Sequence, residues 1–232
     1  MNIRLRIRLQ TTPLQSRQLQ ALQRVFATAC NALAIQARSS GIWSRVALHQ
    51  LAYHPMRAQF PELGSQMLCN VIYSVSRACK LVYQNPHSPF GLRVRGPQNL
   101  PLLQFSDDAP VYFDRHTLNV RDGHASMYSL DGRLRFNLPL APDDEHRLRH
   151  GGIREITLTR DEAGMMLNFL FAHVDAEADT LASAPASQRR HAGVEPPDSA
   201  AGRKNSLPRY LSVFDGSNQA PGQHTLSREQ TQ

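Results

Sequence analysis

Residues 2–9, Asn-Ile-Arg-Leu-Arg-Ile-Arg-Leu, alternate strictly between apolar and cationic side chains, and residues 12–15, Thr-Pro-Leu-Gln, follow almost at once. The first run puts Ile3, Leu5, Ile7 and Leu9 on one face and Arg4, Arg6 and Arg8 on the other, which predicts a half-buried strand. Same-face side chains on a strand recur at roughly 6–7 Å, close to the spacing of phosphates along one nucleic-acid strand. The arginine face therefore suits a polyanion, with an ordinary solvated outer face as the plainer alternative. The second run supplies an N-cap, a proline at the first helical position and a glutamine at the third, so a helix is predicted to begin there.

That helix carries Leu19, Leu22, Phe26, Ala29 and Leu33 at three- and four-residue intervals to about Arg38, where Ser39-Ser40-Gly41 ends it. Trp43 follows the turn and is read as a core residue. A second helix, from about Arg45 to Gln59, is expected to turn Leu48, Leu51 and Ala52 inward and to stop before Pro61. A third, after Gly64-Ser65, presents Leu68, Val71, Ile72, Val75, Cys79 and Val82 and ends at Asn85-Pro86. On this third helix Gln66, Asn70, Tyr73, Arg77 and Lys80 fall at intervals of four, three, four and three, a polar stripe opposite the apolar one. Asn and Gln can pair bidentately with adenine and Arg with guanine, so the stripe is the candidate groove-reading face. Tyr53 is a candidate for stacking on bases.

From Leu92 onward the period is read as two, with apolar stretches at Val111 to Phe113, Leu118 to Val120, Met127 to Leu130 and Leu134 to Leu138. Asp122-Gly123 and Asp131-Gly132 are hairpin signals, and Asp161-Glu162-Ala163-Gly164 joins Ile153–Arg160 to Met165–Val174. The expected fold is α+β. A small antiparallel β-barrel, wedge-like or OB-like, is built from 1–12 and 88–175, with a three-helix recognition bundle inserted over 13–87. A flexible linker over 176–208, rich in Ala, Ser, Pro, Gly and charge, leads to a remnant or disordered tail over 209–232, whose apolar piece is Tyr210 to Phe214.

The formal net charge is +7 over 232 residues, and it is unevenly spread: residues 1–110 sum to +9, 111–180 to −4 and the remainder to +2. The positive field belongs to the first half, and of the chain's 26 cations only Lys80 and Lys204 are lysines, so most carry the planar fork that suits phosphate and base edges. Cys30, Cys69 and Cys79 form no CxxC pair and sit among apolar residues, which reads as small core residues in a reducing compartment rather than zinc ligands. His49, His54, His87 and His116 have no ligand spacing either. No apolar run approaches the roughly 20 residues of a membrane span and no secretory signal opens the chain, so the expected location is the cytoplasm, with no membrane partner.

The ordered set of the opening strand, Ala29-Cys30-Asn31, the Leu48–Tyr53–Arg57 run, the Gln66–Asn70–Arg77–Lys80 helix and the Asp131-Gly132-Arg133 turn resembles the front of insertion-sequence TnpB-type proteins, over about residues 3–175. These are transposon-encoded, RNA-guided nucleases related to the type V CRISPR effectors. The resemblance implies that a β-barrel holds the guide RNA scaffold and that inserted helices read a short DNA motif beside the target. Carried onto this chain, it implies guide RNA and double-stranded DNA as partners. The nucleic-acid-binding residues would be Arg4, Arg6, Arg8, Tyr53, Arg57, Gln66, Asn70, Tyr73, Arg77 and Lys80.

The family's nuclease is an RNase H-like domain in which three acids hold divalent metals. Its first acid stands in a strand written roughly G-[V/I]-D-x-G. The nearest counterpart, Gly193-Val194-Glu195-Pro196-Pro197, replaces Asp with Glu and adds two prolines, which a central strand does not accept. Tyr210 to Gly216 is read as an echo of that domain's second strand, with Asp215 in a turn. The expectation is a binding protein with no catalytic residues, no metal or other cofactor and no cleavage of its own. The alternatives are one half of a split nuclease whose catalytic part is encoded separately, and a protein-interaction module.

Overall fold

The computed structural model describes residues 3–172 and 207–214. The opening alternation is a strand, β1 (Arg4–Arg8), with Ile7 and Leu9 buried, Leu5 half-buried and the three arginines exposed. Ile3, expected on the inner face, is 44% exposed, although its carbonyl still accepts from the Phe171 amide at 3.0 Å. Thr12 then caps α1 (Pro13–Ser40): its hydroxyl accepts from the Gln15 amide, and the Gln15 side chain accepts in return from the Thr12 amide. Gly41 ends the helix in the left-handed region, φ 66°.

Helices α2 (Arg45–Gln59) and α3 (Ser65–Cys79) follow at the expected bounds, and a π-helical turn, Lys80–Gln84, extends α3. Leu51, expected inward on α2, is 42% exposed; Met56 takes that place beside Leu48 and Ala52. Trp43 packs edge-on against the buried Tyr83, ring centroids 5.4 Å apart, in keeping with its core reading.

Beyond the helices the chain does not turn to period two at Leu92. A short helix, α4 (Leu92–Arg95), and a 3-10 turn, Pro97–Asn99, come first. Strands β2 (Leu102–Phe105), β3 (Val111–Phe113), β4 (Leu118–Arg121), β5 (His124–Ser129) and β6 (Gly132–Asn137) follow. Next is α5 (Pro142–His150), which the sequence reading missed. It buries no residue, so it has no apolar stripe to detect. Its signal is charge: Asp143, Asp144 and Glu145 in the first turn and Arg147, Arg149 and His150 in the last, matched to the helix dipole. The hairpin β7 (Ile153–Asp161) and β8 (Gly164–Phe171) and the strand β9 (Leu211–Phe214) complete the described residues.

The fold is α+β, with three antiparallel sheets ordered β1-β8-β7-β3, β4-β5-β6 and β2-β9; among the described residues none closes into a barrel. Two hairpins share one device. The loops Leu130-Asp131 and Glu162-Ala163 are each followed by a glycine at positive φ, Gly132 (116°) and Gly164 (119°). The turn thus falls one residue earlier than Asp131-Gly132, and the glycine, at positive φ, is the first paired residue of the next strand, opposite Ser129 in one hairpin and Asp161 in the other. The expected linker over 176–208 lies outside the described residues except for 207 and 208, as do Gly193 to Pro197, Asp215 and the tail beyond it.

Register shows how the core forms. Ile7, Leu167, Leu158 and Val111 stand side by side across the four strands, as do Leu5, Phe169, Ile156 and Phe113. These rows join Leu19, Leu22, Phe26, Leu33, Leu48, Leu68 and Ile72 of the helices in one continuous core. Asn31 ties α1 to β2: its amide nitrogen donates to the Phe105 carbonyl (3.0 Å) and its carbonyl accepts from the Phe105 amide (2.7 Å). Cys30 and Cys79 are buried, which pushes each thiol up to about 12, and Cys69 is half-buried. A disulfide-exchange reagent at pH 8 is expected to modify one thiol per folded chain, Cys69, and the other two only in denaturant; rapid modification of all three in the native protein would contradict this core.

Candidate nucleic-acid interface

Direct cross-strand neighbours share a face, so the outer row of the four-stranded sheet reads Arg6, Asn168, Thr157, Tyr112. This face changes character from one edge to the other. At β1 it is open: Arg4, Arg6 and Arg8 are exposed, and the Arg6–Asp161 pair, 3.1 Å apart, has side chains 57% and 42% exposed, so it is only weakly held. At β3 it is covered by α3.

That cover is made by the polar stripe of α3. Gln66 donates to the Asp114 carboxylate, and Asn70, 6% exposed, donates to the Thr117 hydroxyl at 3.4 Å. The Tyr73 hydroxyl donates to Glu155 (3.4 Å), and Arg77 pairs with the same carboxylate at 2.7 Å. The Tyr73 ring meets that of Tyr112 edge-on, centroids 5.3 Å apart, and takes the Arg45 guanidinium on its face at 5.3 Å. The Tyr210 side chain lies near that of Tyr112. The stripe expected as a groove-reading face is thus bonded within the chain at Gln66, Asn70, Tyr73 and Arg77, with Asn70 buried and the other three half-buried. The reason is that α3 is sandwiched, with ten of its fifteen residues buried, so the side opposite its apolar stripe also has a neighbour. Lys80, at the start of the π turn, stays exposed.

Of the remaining candidates, Tyr53 is half-buried and stacked on His49, centroids 4.7 Å apart, with His54 edge-on at 5.4 Å. Arg57 donates to the Leu63 carbonyl at 2.5 Å and holds the turn between α2 and α3.

A second cationic surface escaped the sequence reading. On the outer face of β4-β5-β6, Asn119, Ser126 and Arg135 form one cross-strand row and Arg121, His124 and Asn137 the next. Together they line a shallow depression of about 490 Å³. Arg133 lies beside it, fixed by donating to the Ser126 hydroxyl (2.9 Å) and carbonyl (2.6 Å) and to the His116 carbonyl (3.2 Å). The signal was available: Arg133 and Arg135 alternate with Leu134 and Phe136 as the arginines of β1 alternate with Leu5 and Ile7. Among the described residues no three His, Cys, Asp or Glu side chains form a group suited to a metal ion, and no helix is long and apolar enough to cross a membrane. No protein-family model and no curated protein matches this chain.

The seam between α3 and the sheet should register in stability. Glu155→Ala strands Arg77 and Tyr73 and is expected to cost about 1–2 kcal/mol in urea unfolding, the lower range because Arg77 is partly solvated. Pairing it with Arg77→Met should recover most of the loss. Burial pushes Tyr73, Tyr112 and Tyr210 above the ordinary tyrosine value of about 10. Their folded values exceed the unfolded ones, so this stabilisation is complete below about pH 10 and is lost as pH rises through the folded values. Tyr112→Phe should flatten that alkaline decline, measured as urea midpoints from pH 8 to 12.

Proposed function

We propose that this chain is a nucleic-acid-binding protein of the TnpB-like, transposon-encoded type, holding guide RNA and double-stranded DNA mainly by their phosphates. The observation that carries the reading is the exposed arginine row of β1, with Arg4, Arg6 and Arg8 on one face of an edge strand. Alternate strand positions recur at roughly 6–7 Å, so a row of this kind can follow a phosphate backbone. The arginines of β4–β6 add a second patch, and Arg133 offers a guanidinium already held in place. A helical insert set against curled sheets, wedge-like in the manner the resemblance implies, is a sensible frame for gripping a duplex while another face holds RNA.

Because Gln66, Asn70, Tyr73 and Arg77 are engaged internally, the proposal rests the grip on phosphate contacts, with Lys80, Tyr53 and Arg57 as secondary candidates for contact. No cleavage is assigned to the chain.

The test is retention of structured RNA and of duplex DNA across a salt series. Each phosphate contact contributes about 0.9 to the slope of log K against log salt on a duplex, so replacing Arg4, Arg6 and Arg8 together with Gln should lower the slope by about 2–3. A folded wild-type chain that retains neither polymer at low ionic strength would overturn the proposal in favour of a protein-interaction module, and binding that ignores the triple replacement would overturn the assignment of the phosphate contacts to the β1 row.

A further inference from the structure

We infer that the outer edge of β2 is a strand-acceptor site and that residues 207–214 are its exchangeable occupant, held by noncovalent contacts and only tethered by the chain. The inference stands whether or not the protein binds nucleic acid.

Strand β2 belongs to neither of the larger sheets; it lies against α1 and pairs with β9. On the α1 side Asn31 takes both the amide and the carbonyl of Phe105, and Arg38 takes the Leu100 carbonyl at 2.6 Å. The N–H and C=O of one strand residue point to the same side, so with Phe105 turned to α1 the neighbouring residues Gln104 and Ser106 direct theirs to the other side. There β9 docks antiparallel, with Leu102 opposite Phe214, Leu103 opposite Val213, Gln104 opposite Ser212 and Phe105 opposite Leu211. The pairing extends one residue further, the Ser106 amide donating to the Tyr210 carbonyl at 3.0 Å.

Side chains add recognition to the backbone ladder. Leu211 is 4% exposed and Leu207, Tyr210 and Val213 pack on the core, whereas Phe214 is 53% exposed. Main-chain pairing with alternate side chains in pockets is how an extended peptide is bound at a sheet edge. The segment is joined to β8 by thirty-five residues, 172–206. The seat is determined by these strand contacts, and covalent attachment to the same chain raises the segment's local concentration there.

The experiment uses the full chain. A site-specific protease sequence replaces residues 184–190, the protein is folded and then cut, and the products are followed by gel filtration and circular dichroism. The two pieces are expected to co-elute at the size of the uncut chain. A fluorescent peptide of residues 206–217 should then exchange into the cut protein, and the same peptide carrying Leu211→Asp should compete at least tenfold less well. Separation of the pieces at micromolar concentration, with the larger one keeping its spectrum, would overturn the inference, and so would equal competition by the two peptides.

Discussion

The antiparallel pairing of Arg4–Arg8 with Met166–Leu170 is the constraint on which the rest of the structure depends. It joins the beginning of the chain to a hairpin more than 150 residues away, so everything between becomes an insertion that must fold back over one sheet. The apolar rows that start at Ile7 and Leu5 give that sheet a single buried face. The three long helices supply the opposing apolar surface, with Phe26, Leu48 and Ile72 joining the same continuous core. Such a long-range contact is costly in chain entropy until its apolar rows are in place, and so strand pairing and helix packing should form as one cooperative unit.

The placement of α3 follows from this arrangement and alters the meaning of its polar residues. A helix at the rim of a bundle would carry Gln66, Asn70, Tyr73 and Arg77 in water. Here β3 and β7 approach the second side of the helix, and each of these groups finds a partner: Asp114, Thr117 or Glu155. Buried polar groups impose directional requirements that apolar contacts do not, so the seam orients the helical insert on the sheet as well as holding it there. The opposite edge of the same face, where the β1 arginines are exposed, and the outer face of β4–β6 carry exposed cationic side chains.

Much of this was legible in the residues. The capping box at Thr12 and Gln15, the helix bounds, the outward arginines of β1 and the burial of Cys30 and Cys79, though not of the half-buried Cys69, follow from local rules that the structure leaves intact. Helix α5 was missed because its stability is written in charge and dipole rather than in an apolar period, and α4 because a single turn of Leu-Arg-Val-Arg is also what a strand looks like. The pairing of β9 with β2 joins segments about a hundred residues apart and has no local signature at all. The expected barrel gave way to three sheets, because alternation specifies which face of a strand is buried and says nothing of whether its edges close.

By itself, then, the sequence determined periodicity: where helices begin and end, which side of each strand is apolar, and where positive charge accumulates. These are properties of a few neighbouring residues and their backbone geometry. Only the tertiary structure decided which polar side chains are spent inside the molecule and which remain for a partner. A stripe of Gln, Asn, Tyr and Arg has the same local pattern whether it faces water or a second layer, and the difference lies in Glu155, Asp114 and Thr117, which arrive from far along the chain.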